Sequence, residues 1–334
     1  MPDFQRPARA QLPLPRPRPR PDLVGPGFQR PGPGLGPGNG ARNQDLGRGG
    51  QLGQSDAALM VAPQAQASAE SVVDELMLDA AGTACIAVVP QELRSYAEGH
   101  IPTILDTAAR SGLQNANQVA YILATAEHES KFGHPAFSWS EPLVEDHNQY
   151  SQNKKGKWHA RDHVHDQRVT GDTEEALDQD YWDAAYGGRL GNEEGTADAS
   201  QFRGRGYVQL TGRDNYQKMS DKLGREGFTY TLDGVTWGSK EQPIDLVTHF
   251  DHVNRSKELA AKLLVEGCVD GDYTGKKLGD YVNDEGTDFK DARAVVNGDT
   301  AENGETVAAI ANRYVGALSS VWARVFALRQ AGPR

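Results

Sequence analysis

Cysteine is nearly absent: Cys85 and Cys268 are the only two in 334 residues. Two thiols cannot build a disulfide scaffold or a four-thiolate zinc site, and their spacing does not decide whether they pair. No apolar run approaches the ~18 residues that a membrane-spanning helix requires. The opening stretch, MPDFQRPARAQLPLPRPRPRP, is positively charged but has no apolar h-region, so a Sec signal peptide is not expected. Apolar residues are scarce too, at 37%, against the usual ~45–50%, a figure that also counts glycine. Positive charge is in deficit overall. The net charge of −11 argues against a nucleic-acid binder that uses its whole surface.

These deficits are unevenly distributed. Of 18 prolines, 11 lie in the first 40 residues. Residues 1–56 hold eight Arg, four Asp and neither Lys nor Glu, a local charge of +4, which leaves −15 for the remainder. Pro13, Pro15, Pro17, Pro19 and Pro21 alternate with Leu and Arg. Proline lacks an N–H and fixes φ, and glycine loses most entropy on ordering, so such a segment cannot bury enough apolar area to order itself. Residues 1–66 are therefore expected to be a disordered tail, partly polyproline II. A basic arm of this kind is also suited to an anionic surface. Residues 67–90 are expected to form a short acidic helix and linker. In SAESVVDELMLDA, residues Val72, Val73, Leu76, Met77 and Ala80 have helical spacing after a serine start signal. CIAVVP (85–90) is an apolar run without a clear period.

From 91 to 334 the chain is expected to be one mainly helical domain. Leu93 to Ala97, Ile101 to Ala109 and Asn115 to Ser130 are three helical stretches. Asp172 and Glu175 have capping-box spacing for a helix ending near Gly187-Gly188. A short strand, Tyr207 to Thr211, should precede a helix from Arg213 to Leu223. FTYTLDGVTW (228–237) carries a hairpin signal, with β-formers flanking Asp233-Gly234. The last helices are expected at Arg255 to Glu266, Phe289 to Val296 and Glu305 to Ala331. No internal repeat is visible.

The chemistry concentrates in two places. In NQVAYILATAEHES the apolar stripe is Val119, Ile122, Leu123 and Ala126; Glu127 and Glu129 fall on its two shoulders and His128 opposite. Both glutamates sit in the last turn, where the helix dipole and partial burial disfavour a second negative charge. A carboxyl there should hold its proton near neutral pH, as a general acid must. Periodicity does not choose between the two. The second place is YGGRLGN (186–192) with QFRGRGYVQLTGRDNY (201–216). Gly204 and Gly206 bracket Arg205, and Tyr207, Gln209 and Thr211 would share one strand face, with Asn215 close by. A polar, aromatic-flanked face suits sugar hydroxyl and acetamido groups. GRGYVQLTG lacks the P-loop lysine, so a phosphate loop is a weak competitor.

ATAEHESKFG, YGGRLGN, FRGRGYVQLTGRDNY and DARAVVNG, in that order, resemble the catalytic core of family-19 glycoside hydrolases: class I chitinases and the phage and bacterial endolysins of the lysozyme-like superfamily. The resemblance covers roughly residues 91–330 and implies a lysozyme-like, two-lobed helical domain with a small β-sheet or hairpin. It places the family's His-Glu pair on His128-Glu129 and so makes Glu129 the general acid. An inverting partner carboxylate falls on Glu141 in AFSWSEPL, with Glu145 as rival. Arg205, Tyr207, Gln209, Thr211, Asn215, His128 and Asn297 are then substrate-binding, and Arg313 matches a late-helix arginine.

The resemblance implies hydrolysis of β-1,4 bonds in an N-acetylhexosamine polymer, peptidoglycan or chitin, by a monomer without cofactor, metal, nucleic acid or integral membrane contact; the missing disulfide set of the plant enzymes tilts the reading toward peptidoglycan. Release by lysis, a holin or dedicated secretion would bring it to the wall. The alternative is a non-catalytic glycan-binding module on the same fold. Residues 147–170 are expected to be a polar inserted loop. His159, His163 and His165 within it have a zinc-compatible spacing but no nearby cysteine, and are expected to be solvated. Trp139 and Trp158 are equally suited to stacking on sugars and to packing.

Overall fold

The computed structural model describes residues 75–134, 143, 151–152, 158–161 and 168–327. The tail expected over 1–66 lies outside them, as do Trp139, Glu141, Glu145, His163 and His165.

Helical backbone runs over 75–88 (α1), so CIAVVP continues the acidic helix as far as Val88. Ala81, Cys85 and Val89 are buried in the same interior as the helices after residue 91, whereas Leu76 of the expected stripe is exposed. There follow α2 (Arg94–Glu98), α3 (Ile101–Arg110) and α4 (Ala116–Ser130); then β1 (Ser151–Gln152), β2 (Trp158–Arg161) and β3 (Arg168–Gly171); then α5 (Glu174–Tyr186), α6 (Asp198–Gln201) and α7 (Arg213–Glu226). A hairpin of β4 (Tyr230–Leu232) and β5 (Val235–Trp237) precedes α8 (His252–Arg255), α9 (Lys257–Asp270), α10 (Phe289–Ala292), α11 (Thr300–Leu318) and α12 (Trp322–Ala327). The fold is mainly helical, with two small antiparallel sheets among the described residues.

Local chemistry explains most element ends. Asn115 caps α4: its side-chain oxygen accepts from the backbone N–H of Asn117 at 2.9 Å and of Gln118 at 3.3 Å. Lys131 ends α4 in the left-handed region at φ 48°. Asp233 and Gly234, at φ 52° and 78°, form the turn that hairpin strands need when only two residues link them. Ser256 caps α9 through Leu259 N–H, which splits the helix expected from Arg255 into α8 and α9. The cap of α5 is Thr173, not Asp172. Thr173 Oγ1 accepts from Ala176 N–H at 3.1 Å, and an alanine at that position cannot return the bond as a capping-box glutamate would. The helix expected from Phe289 tightens to a 3-10 turn at Arg293–Val295. The long C-terminal helix breaks after Leu318.

Two expectations about strands are corrected. Residues 147–170 are not simply a loop: β1 and β2 lie in that segment, and β3 begins there and pairs with β2, with Ala160 opposite Val169. Runs of two to four residues are too short to show alternation in sequence. Conversely, Tyr207–Thr211 is not a strand. Arg205 and Leu210 exchange backbone hydrogen bonds of 3.2 and 2.9 Å across a tight loop. Gly206 at φ 76° and Gln209 at φ 56° turn the chain where a strand would continue.

The interior forms around two helices that are apolar on nearly every side, the pattern of a buried helix. In α4, every residue from Val119 to Glu127 is buried. In α9, Ala260, Ala261, Leu264, Val265 and Cys268 face the cluster shared with α4 and α11. Leu259 and Leu263 face a second cluster with α7 and the hairpin. Leu177, Tyr181 and Trp182 of α5 make a third with Ala199. Cys85 and Cys268 are free, and burial raises both thiols to about 12, so neither is a thiolate nucleophile.

Asn115→Ala removes both cap bonds at the end of α4 remote from Glu129. It is expected to cost about 1 kcal/mol, read as a lower denaturation midpoint with an unchanged m-value.

Candidate functional site

Two residues of α-helix turn the chain by about 200°, so Glu127 and Glu129 leave α4 on opposite sides. Glu127 is buried against α11. Arg313 donates to its Oε1, and the Tyr314 hydroxyl donates to its Oε2 at 2.6 Å. Arg313 also reaches Val88 O at 3.5 Å, which ties α1 to this contact. Such a closed cage is a structural arrangement. Glu129 remains partly open, its side chain 17% exposed. Its Oε1 accepts from Arg293 Nη1, supplied by the 3-10 turn after α10. Tyr121 of α4 anchors that segment: its hydroxyl donates to Ala292 O at 2.8 Å.

Arg293 is shared. Its Nε and Nη2 donate to Asp299 Oδ1 and Oδ2 at 2.6 and 3.0 Å, a two-point fork, while Nη1 turns to Glu129. Two carboxylates thus face one guanidinium. Burial raises the Glu129 carboxyl above its ordinary value; the charge and hydrogen bond of Arg293 oppose the rise, and the Asp299 charge adds to it. At Asp299, burial would raise the carboxyl, but hydrogen bonds from Arg293 and Asn303 and the Arg293 charge win and lower it. Arg293 is itself buried, which disfavours its charge, yet its bonds to both acids raise its pKa further. The two carboxyls are thus pushed apart, Glu129 upward and Asp299 downward.

His128 lies beside this group. Burial lowers its imidazole to about 4, with Arg293 and Lys131 adding to the effect, so the ring is neutral at ordinary pH. Its Nδ1 is buried and has no hydrogen-bond partner among the described residues. Lys131 Nζ donates to His128 O at 3.0 Å and holds a positive charge at the helix end. Lys131, Phe132 and Gly133 are consecutively left-handed, at φ 48°, 55° and 77°. That sharp exit lets Leu143 pack against Gly133.

Leu143 joins this region to the 204–211 loop: Gly206 N–H donates to its carbonyl at 2.9 Å and Gln209 Nε2 at 3.3 Å. Within the loop, Asn215 Nδ2 donates to Thr211 O, Thr211 Oγ1 to Gln209 O and Gln209 Nε2 to Gly206 O, at 2.7, 2.8 and 2.9 Å. These bonds use donors, so the side-chain oxygens of the three partly exposed residues remain as acceptors.

Arg205 and Tyr207 are corrected. Arg205 is buried, its Nη1 donating to Gln201 O, Arg203 O and Tyr216 Oη, with its guanidinium 4.8 Å from the Phe250 ring centre. It braces the loop from inside and presents no fork outward. Tyr207 is wholly buried, its hydroxyl 2.7 Å from His100 Nδ1. Both turn inward because the loop is not a strand with one exposed face. Asn297 is exposed and its amide oxygen accepts from Gly298 N–H at 2.7 Å, in the segment that joins Arg293 to Asp299.

Arg293 and Asp299 are the residues that sequence reasoning missed. Arg293 lies in the DARAVVNG block and Asp299 directly follows it. An Arg and an Asp six residues apart around an Asn-Gly turn was the available signal.

Elsewhere, Glu226, Glu266 and Asp270 bring carboxylate oxygens within 4.8 Å of one another. Lys262 pairs with Glu226 and Glu266, and Lys222 bonds Asp270 at 2.6 Å, so the set forms an ion-pair network. A groove of 570 Å³ between α3 and α9 contains none of the sequence-selected residues. No protein-family model and no curated protein matches the chain.

Glu127→Ala leaves Arg313 and Tyr314 without their partner. The expected loss is about 3 kcal/mol, the low end for a broken buried pair, because Arg313 keeps 35% of its side chain in water. Denaturant unfolding measures it. Glu129 behaves oppositely. Its folded pKa is raised, so its contribution to stability is complete below about 4.5 and is lost as pH rises through the folded pKa. Glu129→Gln, which cannot ionise, should therefore gain stability relative to wild type as pH rises from 4.5; parallel unfolding curves across that range check the sign.

Proposed function

We propose that the chain is a glycoside hydrolase that cleaves β-1,4 bonds in a cell-wall N-acetylhexosamine polymer, peptidoglycan in preference to chitin, with inversion at the anomeric carbon. One observation carries the reading: a partly exposed carboxyl at the end of α4, raised above its ordinary pKa by burial, beside a second acid that takes up most of the neighbouring guanidinium. A general acid for a sugar leaving group needs these properties. The resemblance of the four sequence blocks supports the same role for Glu129.

In this mechanism Glu129 donates its proton to the glycosidic oxygen as the C1–O bond breaks. Water, deprotonated by the second carboxylate, attacks C1 from the opposite face. That base is proposed as Glu141, two residues before the buried Leu143, with Glu145 as the rival. An inverting pair should stand ~6.5–9.5 Å apart, leaving room for the water. Arg293 compensates the negative charge that forms on Glu129 when its proton leaves. Gln209, Thr211 and Asn215 offer acceptors to sugar hydroxyl and amide donors, and Asn297 is an exposed amide near Arg293. The proton cycle is complete without a metal or cofactor.

Glu129→Gln should lose about 10³-fold in turnover on peptidoglycan sacculi, with no fall in its melting temperature and with its binding to the polymer retained. New reducing ends and their anomeric configuration by NMR are the readout. Unreduced turnover in that variant excludes Glu129 as the acid. Binding without turnover in the wild-type chain would favour a non-catalytic glycan-binding module. Asp299→Asn should free Arg293 for Glu129 and lower its pKa, which moves the alkaline limb of the pH–rate profile to lower pH.

A further inference from the structure

Among the described residues, Leu190 combines exposure with backbone strain. It is 47% exposed and left-handed at φ 53°. A side chain with a Cβ is strained there, and glycine is the usual occupant. The chain uses glycine on both sides, at Gly188 and Gly191, each with positive φ, yet places leucine at the centre.

The surroundings hold that leucine firmly. Its carbonyl accepts from Asp214 N–H at 3.1 Å, which docks the 187–192 turn onto the start of α7. Asn192 extends the docking: its Oδ1 accepts from Arg213 N–H at 3.0 Å and its Nδ2 donates to Tyr186 O at 3.1 Å. The side chain rests on Gly212, where any Cβ would come within 2.3 Å of Leu190 Cβ. Thus one position accepts backbone strain and another gives up its side chain, and the product is an aliphatic group half in water. An apolar side chain exposed to that extent adds little burial energy. Strain retained without a packing return marks a functional position.

What it touches follows from its neighbours. Gly212 is flanked by Thr211, and Asn215 lies in the first turn of α7; both carry side-chain oxygens whose acceptor capacity is unused among the described residues. An aliphatic group resting on Gly212, the residue between Thr211 and the helix that carries Asn215, matches an acetamido group, whose methyl is apolar and whose N–H is a donor. Resting on the hydrolase reading above, we infer that Leu190 is a specificity-determining residue that contacts the acetamido methyl of one N-acetylhexosamine unit in the bound polymer.

The test compares wild type, Leu190→Ser and Leu190→Gly on N-acetylated oligomers and on the same oligomers after deacetylation. Both variants should raise KM for the acetylated oligomers about three- to tenfold, the scale of a partly exposed methyl contact. Their kcat values should stay within twofold and their KM for deacetylated oligomers should not change. Leu190→Gly should also keep or raise the melting temperature, because glycine relieves the left-handed strain. A melting temperature that falls with the KM effect makes Leu190 a packing residue and overturns the inference. Wild-type KM in both variants, with the wild-type chain active, overturns it and leaves the hydrolase reading standing. A wild-type chain that neither binds nor cleaves either oligomer removes both.

Discussion

One guanidinium between two carboxylates is the constraint on which the candidate site depends. Arg293 is buried, with its side chain 3% exposed, so its charge cannot be left unpaired. Asp299 satisfies it with a two-point fork and Glu129 takes the remaining donor. If both acids were ionised, the group would carry one excess negative charge at the end of a helix whose dipole also opposes it. The least costly remedy is one retained proton. Asp299 has the better bonds, from Arg293 and from Asn303, and its carboxyl is lowered while that of Glu129 is raised. The fold serves this arrangement directly: Tyr121 fixes the Arg293 segment onto the helix that carries Glu129.

Backbone strain is distributed in the same way. Six described residues other than glycine have positive φ: Lys131, Phe132, Leu143, Leu190, Gln209 and Asp233. Asp233 is a hairpin turn residue of a type that tolerates this region. Four of the others lie within the sequence blocks that carry the glycosidase resemblance, and Leu143 bonds to one of those blocks. Folding alone would favour glycine or asparagine at such sites. The side chains that stand there instead are a lysine at the helix exit, two aromatic or aliphatic packing residues, an exposed leucine and a glutamine whose amide closes its own loop.

What could be read from the sequence was what local rules govern. Asn115 before an apolar stripe gives the start of α4, and Asp233-Gly234 between β-formers gives the hairpin. Glu127 and Glu129 were recognisable as half-buried carboxyls at a helix end. Illegible features depend on distance along the chain or on isolated φ values. Arg293 meets Glu129 across 164 residues, with no local pattern to announce it. In GYVQL, alternation suggested a strand, but the left-handed values at Gly206 and Gln209 fold it into a loop, and Arg205 and Tyr207 turn inward with it. The 147–170 segment hid two strands and the start of a third because each is too short to show a period.

The contrast between the two glutamates of α4 argues for this electrostatic account. Each lies near the same helix end, and each bonds an arginine. Their difference lies in the third group. Glu127 meets Tyr314, whose hydroxyl donates and whose burial keeps it protonated, so the carboxylate has a donor on each oxygen. For Glu129 the third group is Asp299, an anion that competes for the same cation. The Asp299 charge disfavours a second carboxylate at Glu129 and adds to the rise that burial causes there. A turn of about 200° between the two positions therefore places one glutamate of Glu-His-Glu in a structural ion pair on one side of α4 and the other beside a competing acid, with a raised pKa, on the opposite side.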